Sequence, residues 1–508
     1  MELLQVLFYI TSFILLLSLY KFPLLRPKKC LPPSPPGALP IIGHLRLLSL
    51  STPLHRTLQA LSTKSRQYAN YMLLKLGTRN LLVLSSPAAV EECFHKNDVT
   101  CANRLRTIAY DYYSYNYTTM ATANYGPHWR NLRRITSTNI FCPSSLHAST
   151  SIRRDAVRCL LKELYKSTAN KEPQKIDLKL KFYEFTFNSV VATLTGEPIG
   201  DGLWHSKENE WFFEVLRSAR VPSLFMVPAD YLPILRYLDV SKVEKVLAAK
   251  SRKRDEYFTG MIKRFRKEFD VEKKSKTKLD MFFSLQREDP EQYNDVIIKG
   301  IIQVMFTAGI DTSAITLEWA MSLLLNNPEA LKKAIIELDQ NIEPHRLLEE
   351  SELSNLPYIQ SIVQETLRLF PPAPLLLPHE SACEFKADQY DVPSGTIIVA
   401  NAWAIHRDPK VWPEPNKFMP ERFMQEEGID KFKFMPFGIG RRVCPGGGLA
   451  MRMIPLALGS LLRCFEWEKI GDEPIDMSEG VQILLPKAKA LEALCRPRSE
   501  MLNALCQL

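Results

Sequence analysis

The stretch FMPFGIGRRVCPGGGLA, residues 434–450, sets one of the chain's ten cysteines in a loop of unusual composition. Phe437-Gly438-Ile439-Gly440 precede Cys444, Arg441-Arg442 stand beside it, and Pro445 and three glycines lead into the helical run LAMRMIPLALGSLLRCF. Glycines let a backbone or a flat ligand come close. Proline suits the first position of a helix, where its missing N–H has no partner in any case. A helix is therefore expected to begin at Pro445, with Cys444 as its cap. A thiol there meets the positive end of the helix and nearby guanidinium groups, which should lower its pKa. Local composition leaves two readings open. One is a structural thiol in a tight turn, the commoner fate of a lone cysteine. The other is a thiolate ligand for a metal.

Bulk properties narrow the field. The chain has 508 residues, 46% hydrophobic and 24% charged, enough to bury a large core and too apolar for disorder. A net charge of +9 permits contact with an anionic membrane face or an acidic protein. No dense basic tract is interleaved with aromatics, so no nucleic-acid partner is expected. None of the cysteines forms a C-x-x-C pair, which leaves zinc and dithiol chemistry unsupported and suits a reducing compartment. Residues 3–20 are almost wholly apolar and about the length that crosses a bilayer. Glu2 precedes them, no small-residue cleavage site follows, and Lys21, Arg26, Lys28 and Lys29 come after. That pattern predicts an uncleaved anchor over 1–21 with the rest of the chain cytosolic. LPPSPPGALPIIGHL then reads as a stiff, extended hinge, residues 22–40. Residues 41–508 read as one catalytic body, mainly helical with small sheets.

Within that body, residues 297–327 form a long apolar run that stops before Pro328. Its length would span a membrane, but Lys299, Asp311 and Glu318 are costly in lipid, so a helix buried through the body is expected. Pro357 opens another helix and Pro371-Pro372 close it. Short strands are expected at YMLLKLG, NLLVLSS, TIIVANAW and near VQILLP. Residues 264–278 are a charge run expected at a solvated helix end.

Three further motifs carry chemistry. QETLR places Glu365 and Arg368 on one helical face, ordinarily a surface pair worth little. FMPERF adds Arg422. AGIDTS lies on the long apolar helix and by itself is a notch of small residues. HWRNLRR carries Trp129 and Arg133, by themselves a basic helix face.

Together these resemble the haem-thiolate monooxygenases, the cytochromes P-450. The signature FxxGxRxCxG is met by Phe437, Gly440, Arg442, Cys444 and Gly446. The resemblance implies the P-450 fold and haem b with Cys444 as axial ligand to iron, the thiolate favouring O–O cleavage. It implies that Glu365, Arg368 and Arg422 form a buried structural brace. Ala308 and Gly309 would open a groove for dioxygen, and Asp311 and Thr312 would deliver protons. Trp129, Arg133 and Arg442 would hold haem propionates, Arg being suited to carboxylates; His379, in LLLPHES, lies where relatives carry another propionate partner. Electrons would come from NADPH through a reductase on the same endoplasmic reticulum membrane, docking near the Cys444 loop. NAWAIHRDPKVWPEPNKFMPERF, NYTTMATANYGPHWRNLRR and LALGSLLRCFEWE look most like the plant microsomal branch holding isoflavone hydroxylases, lignan methylenedioxy-bridge synthases and xanthone synthases. That branch implies a small phenolic substrate, hydroxylated or oxidatively ring-closed, in a pocket drawing on Tyr113, Phe306, Leu375, Leu377 and Leu484. The alternatives are an oxygen-independent haem-thiolate isomerase or dehydratase, disfavoured by intact Asp311 and Thr312, and a non-catalytic haem-binding protein. Two departures stand out: Leu105, where relatives often carry Pro, and Pro455 inside the last helix, where a kink is expected.

Overall fold

The computed structural model describes residues 11–12, 29–47, 52–168, 172–197, 227–236, 241–268, 277–425 and 428–508. The expected anchor over 1–21 lies outside them, apart from residues 11–12. Nine helices position the site: α1 (Pro127–Asn139), α2 (Thr150–Ser167), α3 (Leu178–Thr195), α4 (Ser241–Glu268), α5 (Lys278–Glu288), α6 (Asp295–Asn326), α7 (Pro328–Asn341), α8 (Pro357–Leu369) and α9 (Gly447–Cys464).

The long apolar run forms α6. Asn294 caps it by accepting the N–H groups of Val296 and Ile297, and Pro328 begins α7. The helix is buried on nearly every side, against α3, α4, α8 and α9. Its charges have protein partners. Lys299 Nζ donates to Asp255 Oδ1 at 2.5 Å and Thr259 Oγ1 at 3.3 Å on α4. Glu318 accepts the Leu491 N–H at 3.0 Å. Buried charge is tolerated where it is paired, so α6 is a core helix rather than a membrane span. The largest apolar cluster joins α2, α3, α6, α8 and α9. Pro357 opens α8 as expected, and Glu337 of α7 accepts the N–H groups of Tyr358 and Ile359, two donors left over at the start of α8. α4 ends in the expected charge run, and α5 opens with a capping box between Thr277 and Asp280.

The sheets are small. β1 (Tyr71–Leu76) and β2 (Arg79–Leu84) form a hairpin, and β8 (Ile397–Ala400) adds to β2 in parallel. β5 (His379–Glu380) and β3 (Asn103–Arg104) complete the order β1-β2-β8-β5-β3. β4 (Gln174–Asp177), β10 (Glu492–Pro497) and β9 (Phe465–Glu468) form a second sheet, and β6 (Phe385–Ala387) pairs with β7 (Tyr390–Val392). VQILLP is not a strand: it forms the tip of a hairpin closed by a single bridge, Glu479 to Lys487.

One other expectation changes. The proline-rich segment is extended and helix-free, but it is fastened to the body rather than spanning free space. Pro33 O accepts the Leu73 N–H (2.9 Å), Pro35 O pairs with His44 Nε2 (2.9 Å), and Cys30 and Asp391 bond each other. Pro455 lies inside α9 without ending it.

Candidate functional site

α9 begins at Gly447, with Gly446 as its N-cap, so Cys444 stands before the cap and Pro445 is outside the helix. The expected helix start at Pro445 is corrected. The loop is held by Cys444 N–H donating to Phe437 O at 2.8 Å. Its glycines answer to protein neighbours. Gly440 has φ +70°, and a Cβ there would sit 2.5 Å from Phe94 O and 2.8 Å from Asp98 Oδ1. A Cβ on Gly447 would touch the Phe437 ring at 3.4 Å, and one on Gly448 would touch Leu146 at 3.5 Å. Close approach of the Phe94 backbone, more than room for a ligand, requires glycine at 440.

Cys444 is exposed, yet burial is the largest influence on its thiol and raises its pKa. The two observations look opposed. Both hold because a residue open on one side is still desolvated by the protein packed around its others. The N–H groups of Gly446 and Gly447 and the charge of Arg133 pull the pKa down, but by less. The expectation of a lowered pKa is therefore overturned: desolvation outweighs the helix end and the cations.

Around this loop gathers a cluster of cations. Arg133 Nη1 donates to Val443 O at 2.7 Å. Arg442 donates to the carbonyls of Ala102 (2.8 Å), Met120 (3.3 Å) and Ala123 (2.6 Å), and stacks 4.4 Å over Trp129. Trp129 Nε1 donates to the same Met120 O at 3.0 Å. Arg104, which sequence reasoning passed over, completes the group: it donates to Ala121 O, Leu377 O and Pro378 O. Burial lowers Arg104 to about 10 and Arg442 to about 9, and their mutual repulsion adds to the shift of Arg442. Among the described residues none of Arg104, Arg133 and Arg442 forms an ion pair with a carboxylate. Buried cations normally have a counter-charge, so this donor set fits a ligand with anionic arms beside a thiol.

His379 pairs across β5–β3 with Arg104. Burial, then the charges of Arg104 and Arg442, push its pKa well below normal, and Nδ1 meets Cys101 O at 2.6 Å. The carbonyl partner assigns the proton to Nδ1. That leaves Nε2 an acceptor with no proton for a carboxylate, whereas the neighbouring Arg104 carries several donors. A signal for Arg104 existed in the sequence: an arginine inside the apolar segment CANRL.

Glu365 and Arg368 are fully buried. Arg368 grips Glu365 with both arms, Nε to Oε2 at 2.6 Å and Nη2 to Oε1 at 2.8 Å. Its remaining donor Nη1 reaches His406 O and Pro415 O, both at 2.7 Å. Arg422 Nε approaches Glu365 Oε1 at 3.3 Å, and the Met419 N–H donates to the same oxygen. The sequence motif and the geometry agree: this is an internal brace, not a surface pair.

On α6, Thr307 and Ala308 are exposed in the middle of a buried helix, and Gly309, Asp311 and Thr312 are half-buried. Thr312 Oγ1 donates to Ala308 O at 2.5 Å. A Cβ on Gly309 would meet Val190 Cγ2 at 3.1 Å, so this glycine admits α3 rather than a small ligand. Phe306 is fully buried between Phe187 and Phe258, with ring centroids 5.9 and 5.7 Å away, and is core rather than pocket wall. Tyr113 is buried under Arg254, 4.5 Å over its ring. Leu375 and Leu484 are half-buried and Leu377 is exposed.

A family model, Cytochrome P450, matches residues 32–492. The chain belongs to the cytochrome P450 family. Cytochrome P450 81Q32 of Catharanthus roseus is 46% identical over 97% of this P450 and 96% of its own length. A (+)-piperitol/(+)-sesamin synthase of Sesamum radiatum is 43% identical over 94% and 93%. An isoflavone 3′-hydroxylase of Medicago truncatula is 42% identical over 93% of each chain. A zebrafish cytochrome P450 structure with progesterone superposes with a TM-score of 0.75 over 88% of this chain and 100% of that one at 24% identity, which speaks for the fold alone. This P450 is accordingly a haem-dependent monooxygenase, taking electrons from an NADPH-dependent reductase and acting on a small molecule.

Proposed function

We propose that this P450 hydroxylates, or oxidatively ring-closes, a plant phenolic metabolite of the flavonoid, isoflavonoid, lignan or benzophenone type, on the endoplasmic reticulum membrane. The carrying observation is the exposed Cys444 in its glycine-flanked loop, near Arg104, Arg133 and Arg442, none of which has a carboxylate partner among the described residues. The related isoflavone hydroxylases and the sesamin synthase support the substrate class. Residues 1–21 serve as the anchor, and 41–508 as the catalytic body.

Cys444 would hold the haem iron through its sulfur. A coordinated metal deprotonates a thiol outright, so the raised pKa of the free thiol is no obstacle. Arg104, Arg133, Arg442 and Trp129 would hold the propionates: each already presents N–H groups to carbonyls at this site, and charge-assisted bonds to carboxylates are stronger than those they would replace. When bound, the haem supplies dioxygen activation. The chain does the rest. Ala308 leaves room beside α6. Thr312 Oγ1 holds its hydroxyl proton on the Ala308 carbonyl at 2.5 Å, and a turn about its side-chain torsion would present that proton to the space beside Ala308. Asp311, half-buried, links that hydroxyl to solvent as a proton source. Glu365, Arg368 and Arg422 act through the scaffold and touch no reacting atom.

The test is spectroscopic, followed by product analysis. Cys444→Ala should lose the thiolate-type band of the reduced carbon monoxide complex, whereas Thr312→Ala should keep it and consume NADPH with little product. A thiolate band in Cys444→Ala sinks the ligand assignment. With the wild type, reductase and NADPH, a panel of isoflavones and lignans should give oxygenated or ring-closed products. No product from any phenolic sinks the substrate class.

A further inference from the structure

The hairpin carrying Ile483 and Leu484 is fixed in an unusual way. Its stem is one bridge, Glu479 to Lys487, supported by Gly480 N–H to Pro486 O (2.8 Å) and Ala488 N–H to Ser478 O (2.9 Å). Residues 481–484 make no ladder. The two bridge residues are both charged and both buried, and their side chains have separate sets of partners. Glu479, with a side chain 1% exposed, accepts from His55 Nε2 (2.9 Å), Arg56 Nε (2.6 Å) and Trp403 Nε1 (3.1 Å). Arg56 and Arg407 lie over the Trp403 ring at 4.8 and 4.2 Å. Lys487, 3% exposed, donates to Asp476 O and sits 4.9 Å over Trp319 of α6. Trp319 Nε1 in turn donates to Leu485 O at 2.7 Å.

Buried charges are no cheaper than apolar side chains of the same size, but they accept few partners. A slip of one residue would turn both side chains to the wrong faces and take both charges away from these partners. The stem therefore has one permitted register. The tip depends on it: Ile483 packs against the cluster that holds Leu58, Leu105 and Tyr231, and Leu484 against the cluster of Trp319, Phe370 and Trp403.

We propose that Glu479 and Lys487 are positioning residues, a two-sided charge clamp that locks the hairpin register and so sets where Ile483 and Leu484 stand as a wall of the substrate pocket. The selectivity of the pocket then depends on residues that touch no substrate. This rests on the pocket reading above, not on the phenolic assignment, and azole ligands keep the two apart.

The experiment uses the full-length haem-loaded protein with imidazole and with 4-phenylimidazole, read by the Soret shift. Imidazole needs little room; 4-phenylimidazole must fit the walls. Glu479→Asp and Lys487→Met should keep the reduced carbon monoxide spectrum and bind imidazole within about twofold of wild type, while 4-phenylimidazole weakens by about tenfold or more, the scale on which pockets sense a methylene. In an Ile483→Ala background the effect of Glu479→Asp should shrink below about twofold, because coupled residues are not additive. An unchanged ratio of the two azoles overturns the proposal. So does a full Glu479→Asp effect in the Ile483→Ala background, which would place its action elsewhere. Loss of the carbon monoxide spectrum in both clamp variants overturns it too, since the clamp would then belong to the scaffold.

Discussion

Gly438 and Gly440 stand two apart in the same loop, at φ +77° and +70°, and differ in what surrounds them. A Cβ on Gly438 meets nothing within 4 Å, whereas one on Gly440 collides with Phe94 O. Gly438→Ala should therefore cost only the left-handed strain, about 1–2 kcal/mol. Gly440→Ala adds an overpacking penalty and should cost about 3 kcal/mol or more. Chemical denaturation of the two variants side by side checks this, and equal losses would show that the Phe94 contact relaxes freely. The same residue marks how far the site was legible. The Cys444 loop could be read because its chemistry is contiguous in sequence: thiol, arginine and glycines within a few positions. The glycines' reason could not, because Phe94 is 346 positions away in the chain from Gly440, by the numbering itself. Arg104 was missed for the same cause, since only the β3–β5 pairing brings it beside His379 and Arg442.

At the scale of elements, α8 is tied to the segment 414–422 through one carboxylate. Glu365 receives Arg368, Arg422 and the Met419 N–H in an apolar surrounding. Glu365→Gln leaves a buried guanidinium pair without its counter-charge and should destabilise by about 3–5 kcal/mol. The denaturation midpoint should fall while the thiolate spectrum of the remaining folded protein stays unchanged, which separates a brace from a ligand; an unshifted midpoint would refute the brace. Long elements were legible, α6 and α8 above all, because apolar length and proline boundaries are local signals. Strands β4, β9 and β10 were not: each is short, mixes charges with apolar residues, and becomes a strand only when paired. VQILLP shows the converse, a β-like composition without a partner strand. Phe306 reads as pocket wall on a helix of known face, but the three-ring packing with α3 and α4 is tertiary and buries it.

Across the whole molecule, His406 joins the brace to the Cys444 loop. Its carbonyl accepts Arg368, its Nδ1 meets Arg368 O at 3.2 Å, and its Nε2 accepts the Met435 N–H at 3.0 Å. Burial, with the charges of Arg368 and Arg407, lowers its pKa to about 3. An unfolded histidine titrates near 6.5, so between about 6.5 and 3 the unfolded chain binds the extra proton and stability falls as pH falls, by up to ~1.4 kcal/mol per pH unit. His406→Gln should flatten that acid limb, measured as unfolding free energy from pH 7 to pH 5; an unchanged slope would assign acid sensitivity to other groups. The remaining consequence concerns the rim of the larger sheet. β1 is its outermost strand, and an open outer strand invites a second chain to pair with it. Here the chain from Pro33 to Gly43 covers it: Pro33 O takes the Leu73 N–H, His44 Nδ1 takes the Lys75 N–H, and His44 N–H returns to Lys75 O. Prolines can accept from β1 but have no N–H to offer onward. The segment that leads in from the N-terminus thus ends the sheet as well, closing it to self-association while adding no new strand for another copy to extend.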